Sequence, residues 1–560
     1  METHKHHAWQ GTGTAPRRHT HRLAVAVAVA LAAASDLHAG VIETGNPELK
    51  LRWDNTVKYS AAFRLKDPSA GLIDGADAAN LDDGDRNFDK GLISSRVDLL
   101  SEFDLTYRNL GARVSAAGWY DSVYHRATDN NSPATYNGLS VDHTRFTEGT
   151  RSLHGGTGEL LDAFVFAKFN LGDMPGAVRA GRHALVYGET LFFGSNGIAN
   201  AQQPIDVVKA LSVPNTQFKE LTRPVGQVSG QLQLRTNLSV GGYYQYKWEP
   251  TVLPGSGSYF QTVDFLGDGA ESFLLGPARS VRQPDVEAKN SGQGGVQLKW
   301  TPDGSDIDLG FYAARYHDKT PQGVLYAIPT PNGPFPSTYR LAYHEGIRTY
   351  GVSVTKTFGE FNVAAEASVR HNTPLSNPGT VDLSAVLGLP TSDNRGNTTY
   401  PVGRTAHFNL STMAALPSNA LASETSLVAE LAWNRVTSIT AHADHLDPAA
   451  QRDAWSLRAV LTPSYRQVMP GLDIDVPIGI GYTNGRSGAL GPAFGPDNGG
   501  DLSVGLSGRY LDVWNISLNY THYYGKEAPG SRMTGSVTQF TYAQTFKDRD
   551  FLAFSLRRTF

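Results

Sequence analysis

Apolar and polar residues alternate along most of the chain, in stretches of roughly ten residues, the length with which a tilted strand crosses a lipid bilayer. Between 514 and 524 the even-numbered positions carry Trp, Ile, Leu, Tyr, His and Tyr, whereas the odd-numbered positions up to 521 carry Asn, Ser, Asn and Thr. Between 361 and 370 the odd-numbered positions are apolar, and Asn362, Glu366 and Arg370 lie on the opposite face. Strands of globular proteins are shorter, about five or six residues. The pattern predicts an all-β protein made of transmembrane strands.

Short and long connections alternate between these strands. Short turns on the periplasmic side and long loops outside are typical of antiparallel up-and-down barrels of the outer membrane. Structureless loops of such length are uncommon in compact soluble domains. The short connections are 108–109, 171–176, 236–237, 302–305, 359–360, 470–471 and 511–512. The long polar connections are 65–90, 125–157, 188–226, 250–289, 318–345, 372–398 and 487–498.

The strand number follows from where the two chain ends lie. The alternating stretches give roughly 19 candidate strands, but a barrel with both termini in the periplasm has an even number. The stretch 534–546 is the weakest candidate, and we assign it to the last outer loop. The prediction is a transmembrane β-barrel of about 18 strands, with about 16 as the alternative. A barrel of this size leaves an aqueous lumen unless something fills it.

The segment 188–226 does not alternate, although it contains several large apolar residues. Pro204 is suited to start a helical turn that runs to Leu211. We predict that this loop folds into the lumen as the pore constriction, where its charges sort solutes. An ordinary surface loop with solvated charges is the alternative. The charged residues of the predicted constriction are Glu189, Asp206, Lys209, Lys219, Glu220 and Arg223.

The start of the sequence fits an exported protein. Residues 1–39 have the pattern of a secretory signal peptide: Arg17, Arg18 and Arg22 precede an apolar run, and Ala39 is the expected cleavage point. Twelve apolar residues from Leu23 are too few for a membrane-spanning helix, which needs about 20. We therefore predict a signal peptide over 1–39 and a single barrel domain over 40–560.

The stretch 551–560 alternates as well and ends on an aromatic residue. Such a closing strand is typical of outer-membrane barrels, and likeness to that class implies that the insertion machinery recognises its terminal aromatic ring. We predict that Phe554, Leu556 and Phe560 take part in barrel closure. Arg558 lies on the same face, and we expect its guanidinium group to reach the headgroup region.

Composition narrows the functions further. The chain contains no cysteine, which excludes disulfides and thiolate metal sites. Its formal net charge of −4 does not suit nucleic-acid binding. The pair His344-Glu345 lacks the second histidine of a zinc-binding HExxH helix, and neither a G-x-S-x-G elbow nor a P-loop occurs. We predict no enzymatic activity and no cofactor.

The acidic loop 74–89 offers carboxylates that suit calcium, a hard cation that prefers several oxygen ligands. The candidate ligands are Asp82, Asp83, Asp85 and Asp89, although their spacing is not that of an EF-hand. A solvated acidic loop, neutralised by nearby basic residues, is the alternative.

Five short motifs stand out: N-L-D-D-G-D-R-N-F-D-K-G from Asn80, G-R-H from Gly181, Y-G-E from Tyr187, P-I-D-V from Pro204 and D-R-D-F from Asp548. Together they resemble a Gram-negative outer-membrane family catalogued as domain-of-unknown-function family 1302. The resemblance covers nearly the whole chain after the leader. It implies an outer-membrane barrel that passes or exports poorly soluble molecules. Tyr187 departs from the family pattern, in which tryptophan is expected, and 534–546 looks inserted.

We therefore predict a porin-like channel in the cell outer membrane of a Gram-negative bacterium, through which small solutes, hydrophobic ones among them, pass passively. The alternative is a closed barrel with a structural, surface-interaction or export role. A secreted soluble β protein is a third reading. Expected partners are outer-membrane lipids and lipopolysaccharide, the barrel-insertion machinery and, for an export role, an efflux or periplasmic partner; nucleic acid is not among them.

Overall fold

A computed structural model describes residues 40–213, 217–420, 422–534 and 537–560; the predicted leader, 1–39, lies outside the described residues. Eighteen antiparallel strands follow one another around a closed barrel, and the last pairs with the first. The strands are β1 (Leu49–Arg64), β2 (Gly91–Tyr107), β3 (Leu110–Asp121), β4 (Gly156–Leu171), β5 (Met174–His183), β6 (Val225–Arg235), β7 (Leu238–Gln245), β8 (Gln293–Trp300), β9 (Ile307–Tyr316), β10 (Ile347–Phe358), β11 (Phe361–Pro374), β12 (Val402–Leu416), β13 (Glu424–Ala441), β14 (Asp453–Met469), β15 (Leu472–Asp475 and Ile478–Asn484), β16 (Gly499–Tyr510), β17 (Trp514–Tyr524) and β18 (Phe551–Thr559).

The predicted number of 18 barrel strands is confirmed. Ser531–Thr534 and Val537–Phe540 pair with each other in a separate two-stranded ribbon. This ribbon lies in the connection between β17 and β18, as expected for 534–546, and is not a further crossing of the barrel.

Two departures from regular strands lie near the short-turn end of the barrel. The short strand Gly40–Ile42 pairs with β1 where β18 has already ended. Strand β15 is interrupted at Val476-Pro477, because proline has no N–H to donate to the ladder. The Val476 N–H still donates to the Pro463 carbonyl at 2.9 Å, and the Pro477 carbonyl accepts from the Gly505 N–H at 2.8 Å. The wall therefore stays closed across the interruption.

The pleat of the strands separates an apolar exterior from a polar interior. On β17, Ile516 and Leu518 are 47% and 42% exposed, whereas Thr521 on the opposite face is 4% exposed. Closure of the sheet removes the free edges that an open sheet would present. Other exposed apolar side chains on the strands are Leu99, Val165, Val296, Phe311, Val352, Leu410, Ile480 and Val504.

Exposed aromatic side chains lie near both ends of the strands. Near the short turns they are Trp53, Tyr107, Phe169, Trp300, Phe358 and Tyr510. Near the long loops they are Tyr120, Tyr244, Tyr350 and Trp455. Two aromatic rims thus flank the aliphatic band of the exterior.

The short turns lie at one end of the barrel and the long loops at the other. Gly359 has a φ of 56° in the two-residue turn between β10 and β11, a left-handed conformation that glycine adopts without a steric penalty. In the long loops, five short strands form a second sheet: Ser272–Leu275, Ala278–Arg282, Gln322–Thr330, Gly333–Ala342 and Thr380–Asp382.

All helices in the described part of the chain are short, and none of them is long and apolar enough to cross a membrane. The helices are Ala70–Ile73, Asp83–Arg86, Val123–His125, Glu148–Thr150, Arg151–Gly155, Ile198–Ala201, Val207–Ser212, Phe218–Leu221, Ser384–Leu387, Ala443–His445 and Gly491–Phe494.

Strand β18 closes the barrel. Phe554 and Leu556 lie within the ladders that join β18 to β17 on one side and to β1 on the other. Phe560 packs against Val57, and its backbone exchanges two hydrogen bonds of 2.8 Å with that of Asn55. The three residues predicted at the closure therefore lie at the seam between the two ends of the sheet.

Arg558 contacts an aromatic ring of the neighbouring strand. Its guanidinium carbon lies 5.1 Å from the ring centre of Trp514, within the range of a cation–π interaction. Both residues lie near the short turns, at the level of one aromatic rim. This position fits the expected reach of Arg558 toward the barrel end.

Candidate pore constriction and its anchors in the barrel wall

The chain leaves the wall after His183, at the end of β5, and rejoins it at Val225, at the start of β6. We call the residues between them, 184–224, the lumen segment. Its backbone is hydrogen-bonded to inward-facing side chains of β11, β12 and β13, on a distant part of the wall. The loop predicted over 188–226 is therefore folded into the lumen.

Glu430 on β13 is the first anchor of the lumen segment. Its carboxylate accepts hydrogen bonds from the backbone N–H groups of Leu191 and Phe193, both at 3.0 Å, and from that of Phe192. The Thr190 hydroxyl donates a further bond of 2.8 Å. Glu430 is only 1% exposed, so these donors replace the water that a carboxylate otherwise binds.

Glu366 on β11 is the second anchor. It accepts from the backbone N–H groups of Glu189 at 2.7 Å and Ile198 at 3.0 Å, so one carboxylate holds both ends of the bend. Gly188 has a φ of 96°, and a Cβ atom there would lie 2.5 Å from the Glu366 carboxylate. The glycine of the Y-G-E motif therefore permits the close approach of backbone to anchor.

A positive group completes the anchoring. The Arg370 guanidinium donates to the carbonyl oxygens of Ser195 at 2.8 Å, Asn196 at 2.9 Å and Gly197 at 2.8 Å. The Asn196 side chain, fully buried, reaches Asn409 on β12 at 2.8 Å. Acidic side chains thus accept from the amides of the bend, and a basic side chain donates to its carbonyls. The buried backbone groups of the bend therefore have hydrogen-bond partners.

In the second half of the lumen segment, the described residues 205–213 and 217–222 form a loop whose two ends meet, and we call them the sub-loop. Its base is closed by backbone hydrogen bonds of 2.9 Å from Arg223 to Pro204 and from Asp206 to Leu221. Asp206 also caps the helix Val207–Ser212, accepting from the Lys209 N–H at 2.9 Å. The sub-loop contacts the anchored bend, since the Phe218 N–H donates to the Leu191 carbonyl at 2.7 Å.

The six charged residues predicted at the constriction do not form one ring. Glu189 pairs with Lys299 on β8 at 3.1 Å, and Arg223 pairs with Glu159 on β4 at 2.7 Å. These two residues attach the lumen segment to the wall. Asp206 serves as the helix cap described above.

The other three charged residues lie together on the exposed surface of the sub-loop. They are Lys209, Lys219 and Glu220. The Lys209 ammonium group donates to the Glu220 carbonyl at 2.7 Å and lies within electrostatic range of Lys58 on β1. Lys209 of the sub-loop therefore lies near the wall at β1.

The inner wall carries ion pairs of both signs. Arg113 on β3 lies 3.0 Å from Asp104 on β2 and also contacts Glu102. Arg458 on β14 lies 2.8 Å from Asp501 on β16. Solutes that pass the sub-loop would therefore meet a polar surface with closely paired charges.

Sequence reasoning missed the anchoring residues. Glu366, Arg370 and Glu430 lie on strands, and their partners lie far away in sequence. The available signal was the presence of charged residues in mid-strand, on the polar face of stretches that otherwise alternate. That signal places them in the lumen but does not reveal what they bind.

The four calcium candidates separate in the structure. Asp82 and Asp83 are buried and lie close to Asp264 of another outer loop, whereas Asp85 binds arginine side chains. Asp89 is exposed. Only two of the four predicted ligands therefore belong to one carboxylate cluster.

A buried group of charges lies where β1 and β18 meet the outer loops. We call Arg64, Asp85, Asp548 and Arg549 the mouth cluster. Arg64 lies 2.7 Å from Asp85 and 2.8 Å from Asp548, and Arg549 lies 3.1 Å from Asp85. Burial raises the pKa of Asp548 to about 6, and the two arginines oppose that shift. The cluster ties the first outer loop to the last.

Three solved structures that are similar to this chain share low sequence identity with it. OccAB4 of Acinetobacter baumannii is 10% identical, with 92% of this chain and 100% of that chain covered at a TM-score of 0.41. OpdK of Pseudomonas aeruginosa, solved with vanillate, is 9% identical, with 91% and 98% covered at a TM-score of 0.37. OmpF of Salmonella typhi, in complex with daunomycin, is 10% identical, with 93% and 100% covered at a TM-score of 0.35.

No curated protein matches the chain significantly. A family match, by contrast, extends over almost the whole sequence, from residue 20 to residue 560. It contains all eighteen barrel strands, the lumen segment and the mouth cluster. The chain therefore belongs to the family described as protein of unknown function (DUF1302).

Proposed function

We propose that this protein is a passive channel for small solutes, with the lumen segment as its constriction. The observation that carries the proposal is the clamping of that segment to the inner wall by Glu366, Arg370 and Glu430. A segment held by three buried charged side chains keeps a fixed position inside the barrel. The exposed charges of the sub-loop then act as a charge filter at a defined place.

We place this channel in the outer membrane of a Gram-negative bacterium. The support is the exterior: an aliphatic band flanked by two aromatic rims, as expected where a barrel meets hydrocarbon and headgroups. Lipids and lipopolysaccharide would contact this band. The β18 strand, with Phe560 at the seam, would present the signal to the barrel-insertion machinery.

The class of solute follows from the surface of the lumen segment. Leu191 and Phe192 are half-buried and present apolar surface beside charged groups, and the Phe192 ring lies 6.0 Å from the Arg458 guanidinium carbon. A constriction of this kind favours small amphipathic or hydrophobic solutes that also carry a polar group. Such solutes exchange water for apolar contact without losing all their polar partners.

The test is single-channel recording of the purified protein in planar bilayers, with ion selectivity read from the reversal potential in a salt gradient. The channel proposal expects discrete unitary conductance steps. Small aromatic carboxylates that enter the constriction should compete with the permeating ions and reduce the ionic current in a concentration-dependent way. A folded barrel that gives no conductance steps would contradict the proposal.

The mouth cluster favours a second candidate, a closed barrel with a structural, surface-interaction or export role. Its buried charges join the first and last outer loops over the long-loop end, and so hold those loops together. On this view the wild-type barrel is silent in bilayers, and an efflux or periplasmic partner co-purifies with it. Unitary conductance without such a partner separates the two functions.

A further inference from the structure

Three buried carboxylates meet where two outer loops, those that follow β1 and β7, pack together. Asp82 and Asp83 lie at the start of the short helix Asp83–Arg86, and Asp264 comes from the loop between β7 and β8. One oxygen of each carboxylate lies within 4.8 Å of the others. All three residues are at most 2% exposed. The first two are among the calcium ligands predicted from the sequence, and the third is not.

Two oxygens of this cluster are buried without a hydrogen-bond partner among the described residues. They are Oδ1 of Asp82 and Oδ1 of Asp264. The second oxygen of Asp264 accepts from the backbone N–H groups of Asp82 at 2.9 Å and Asp83 at 3.3 Å. The second oxygen of Asp82 accepts from Arg86 at 2.5 Å and Thr135 at 2.9 Å. The hydrogen bonds therefore fix the orientation of both carboxylates and leave one oxygen of each unpaired.

Unpaired, buried carboxylate oxygens are strongly unfavourable unless a cation or a proton neutralises them. Within the described ranges, the cation in contact with the three carboxylates is Arg86, which binds Asp82. The cluster as described thus has more negative charge than its protein contacts balance.

We propose that Asp82, Asp83 and Asp264 bind one calcium ion. Two oxygens bound to the same calcium at about 2.4 Å lie at most about 4.8 Å apart, which the cluster satisfies. Carboxylate oxygens are the ligands that calcium prefers, and water and main-chain carbonyls complete its coordination.

The site would join three outer loops. Asp83 also accepts from the backbone N–H of Asn137 at 3.0 Å and from the side chain of Asn130 at 3.2 Å, both in the loop between β3 and β4. A cation at this junction therefore holds together the loops that follow β1, β3 and β7. Bound calcium would make the outer surface of the barrel rigid, whatever passes through the lumen.

The test is isothermal titration calorimetry. The full-length, detergent-purified protein is treated with EGTA, freed of it, and titrated with calcium chloride. We expect one calcium ion per chain. D264N should weaken binding about 100-fold, because ligand charge sets calcium affinity. D89N is the matched control, since Asp89 is an exposed aspartate of the same loop, and its isotherm should equal that of the wild type. If the addition of calcium to the wild-type protein gives no heat of binding, the proposal is overturned.

A second measurement covers the case in which D264N fails to fold. Limited proteolysis of the wild type in calcium or EGTA reports the order of the outer loops, and we expect cleavage at least about 10-fold faster in EGTA, because the opened fraction follows ligand linkage. D89N should show the same calcium dependence. Equal cleavage rates in both solutions would mean that protons alone neutralise the cluster, and would overturn the calcium site. Neither outcome bears on conductance, so the channel proposal is tested separately.

Discussion

At the residue scale, single side chains of the wall decide where the lumen segment lies. Glu430 alone accepts three backbone amides and a hydroxyl group of this segment. A carboxylate suits this role because it offers only acceptors, and five donors point at it, the Asn409 side-chain amide included. The lumen segment thus depends on the charge of Glu430, not only on its shape.

We expect Glu430→Gln to loosen the bend. The glutamine NH2 group would replace one of the two carboxylate oxygens, and the buried donors that point at that oxygen would lose their acceptor, at a cost of about 1–3 kcal/mol. Single-channel traces should show larger open-state current noise, and the thermal midpoint should fall. Glu360→Gln, in an exposed short turn, is the control and should change neither quantity. Unchanged current noise in folded Glu430→Gln would exclude the anchoring role.

The mouth cluster yields a stability prediction. Arg549→Ala leaves Asp85 and Asp548 buried with one guanidinium group instead of two, which should destabilise the barrel by about 3–5 kcal/mol. Denaturant unfolding in detergent or lipid measures the change. Arg557→Ala, an exposed position on β18, should stay close to the wild type. A small effect at Arg549 would mean that water reaches the cluster.

The sequence shows part of this residue-level picture. Alternation along 361–370 places Glu366 and Arg370 on the polar face, because side chains of a strand alternate strictly. No local sequence pattern indicates their partners, because the partners are distant in sequence: Glu366 binds the backbone of Ile198, 168 residues away. Asp264 and Asp83 are 181 residues apart and meet only when two loops fold over each other.

At the element scale, the lumen segment is made of two connected pieces. The anchored bend binds the wall, and the sub-loop has a base closed between Pro204 and Arg223 and one further bond to the bend, from the Phe218 N–H to the Leu191 carbonyl. The same closure occurs in the outer ribbon, where the Thr541 N–H donates to the Gly530 carbonyl at 3.1 Å. In both loops the chain can therefore be rejoined across a closed base.

We predict that replacing 206–221 by two glycines widens the channel. The excision removes the exposed charges of the sub-loop and its Phe218–Leu191 hydrogen bond but keeps the bonds of Glu366, Arg370 and Glu430, so unitary conductance should rise and ion selectivity should weaken. Replacing 532–539 of the outer ribbon by two glycines is the matched control, because that ribbon lies outside the barrel sheet. If the sub-loop excision leaves conductance and selectivity unchanged, the constriction lies elsewhere.

Whole strands were easier to predict than their outer connections. The barrel strands alternate in sequence and pair with their neighbours along the chain, so their number follows from local patterns. The five-stranded outer sheet falls in segments read as long polar loops. Two of its pairings are parallel and join different loops, and such pairing leaves no local signal.

At the scale of the whole molecule, the exterior determines which solvent the barrel requires. Leu518 points outward from the middle of β17, and Asn519 next to it points into the lumen. The two positions have the same backbone surroundings but opposite environments. They therefore offer a matched pair for testing membrane insertion.

We expect Leu518→Arg to destabilise the lipid-inserted barrel by about 2–4 kcal/mol, because a charge near the bilayer midplane is expensive. Asn519→Arg should have a much smaller effect on stability, since its side chain meets water in the lumen. Refolding into lipid vesicles at several denaturant concentrations measures both. Equal tolerance of arginine at the two positions would indicate a barrel that is not surrounded by lipid.

The mouth cluster has a consequence for how the barrel is assembled. Its four residues come from 64–85 and from 548–549, so nearly the whole chain is synthesised between the first charge and the last. Before β18 pairs with β1, Asp548 and Arg549 are not yet held beside Arg64 and Asp85; the completed ring brings the four side chains together and excludes solvent. The cluster thus distinguishes a closed barrel from an unclosed one. A protease that removes stalled intermediates would find Arg64 and Asp85 uncovered in a barrel that has not closed, and covered in one that has.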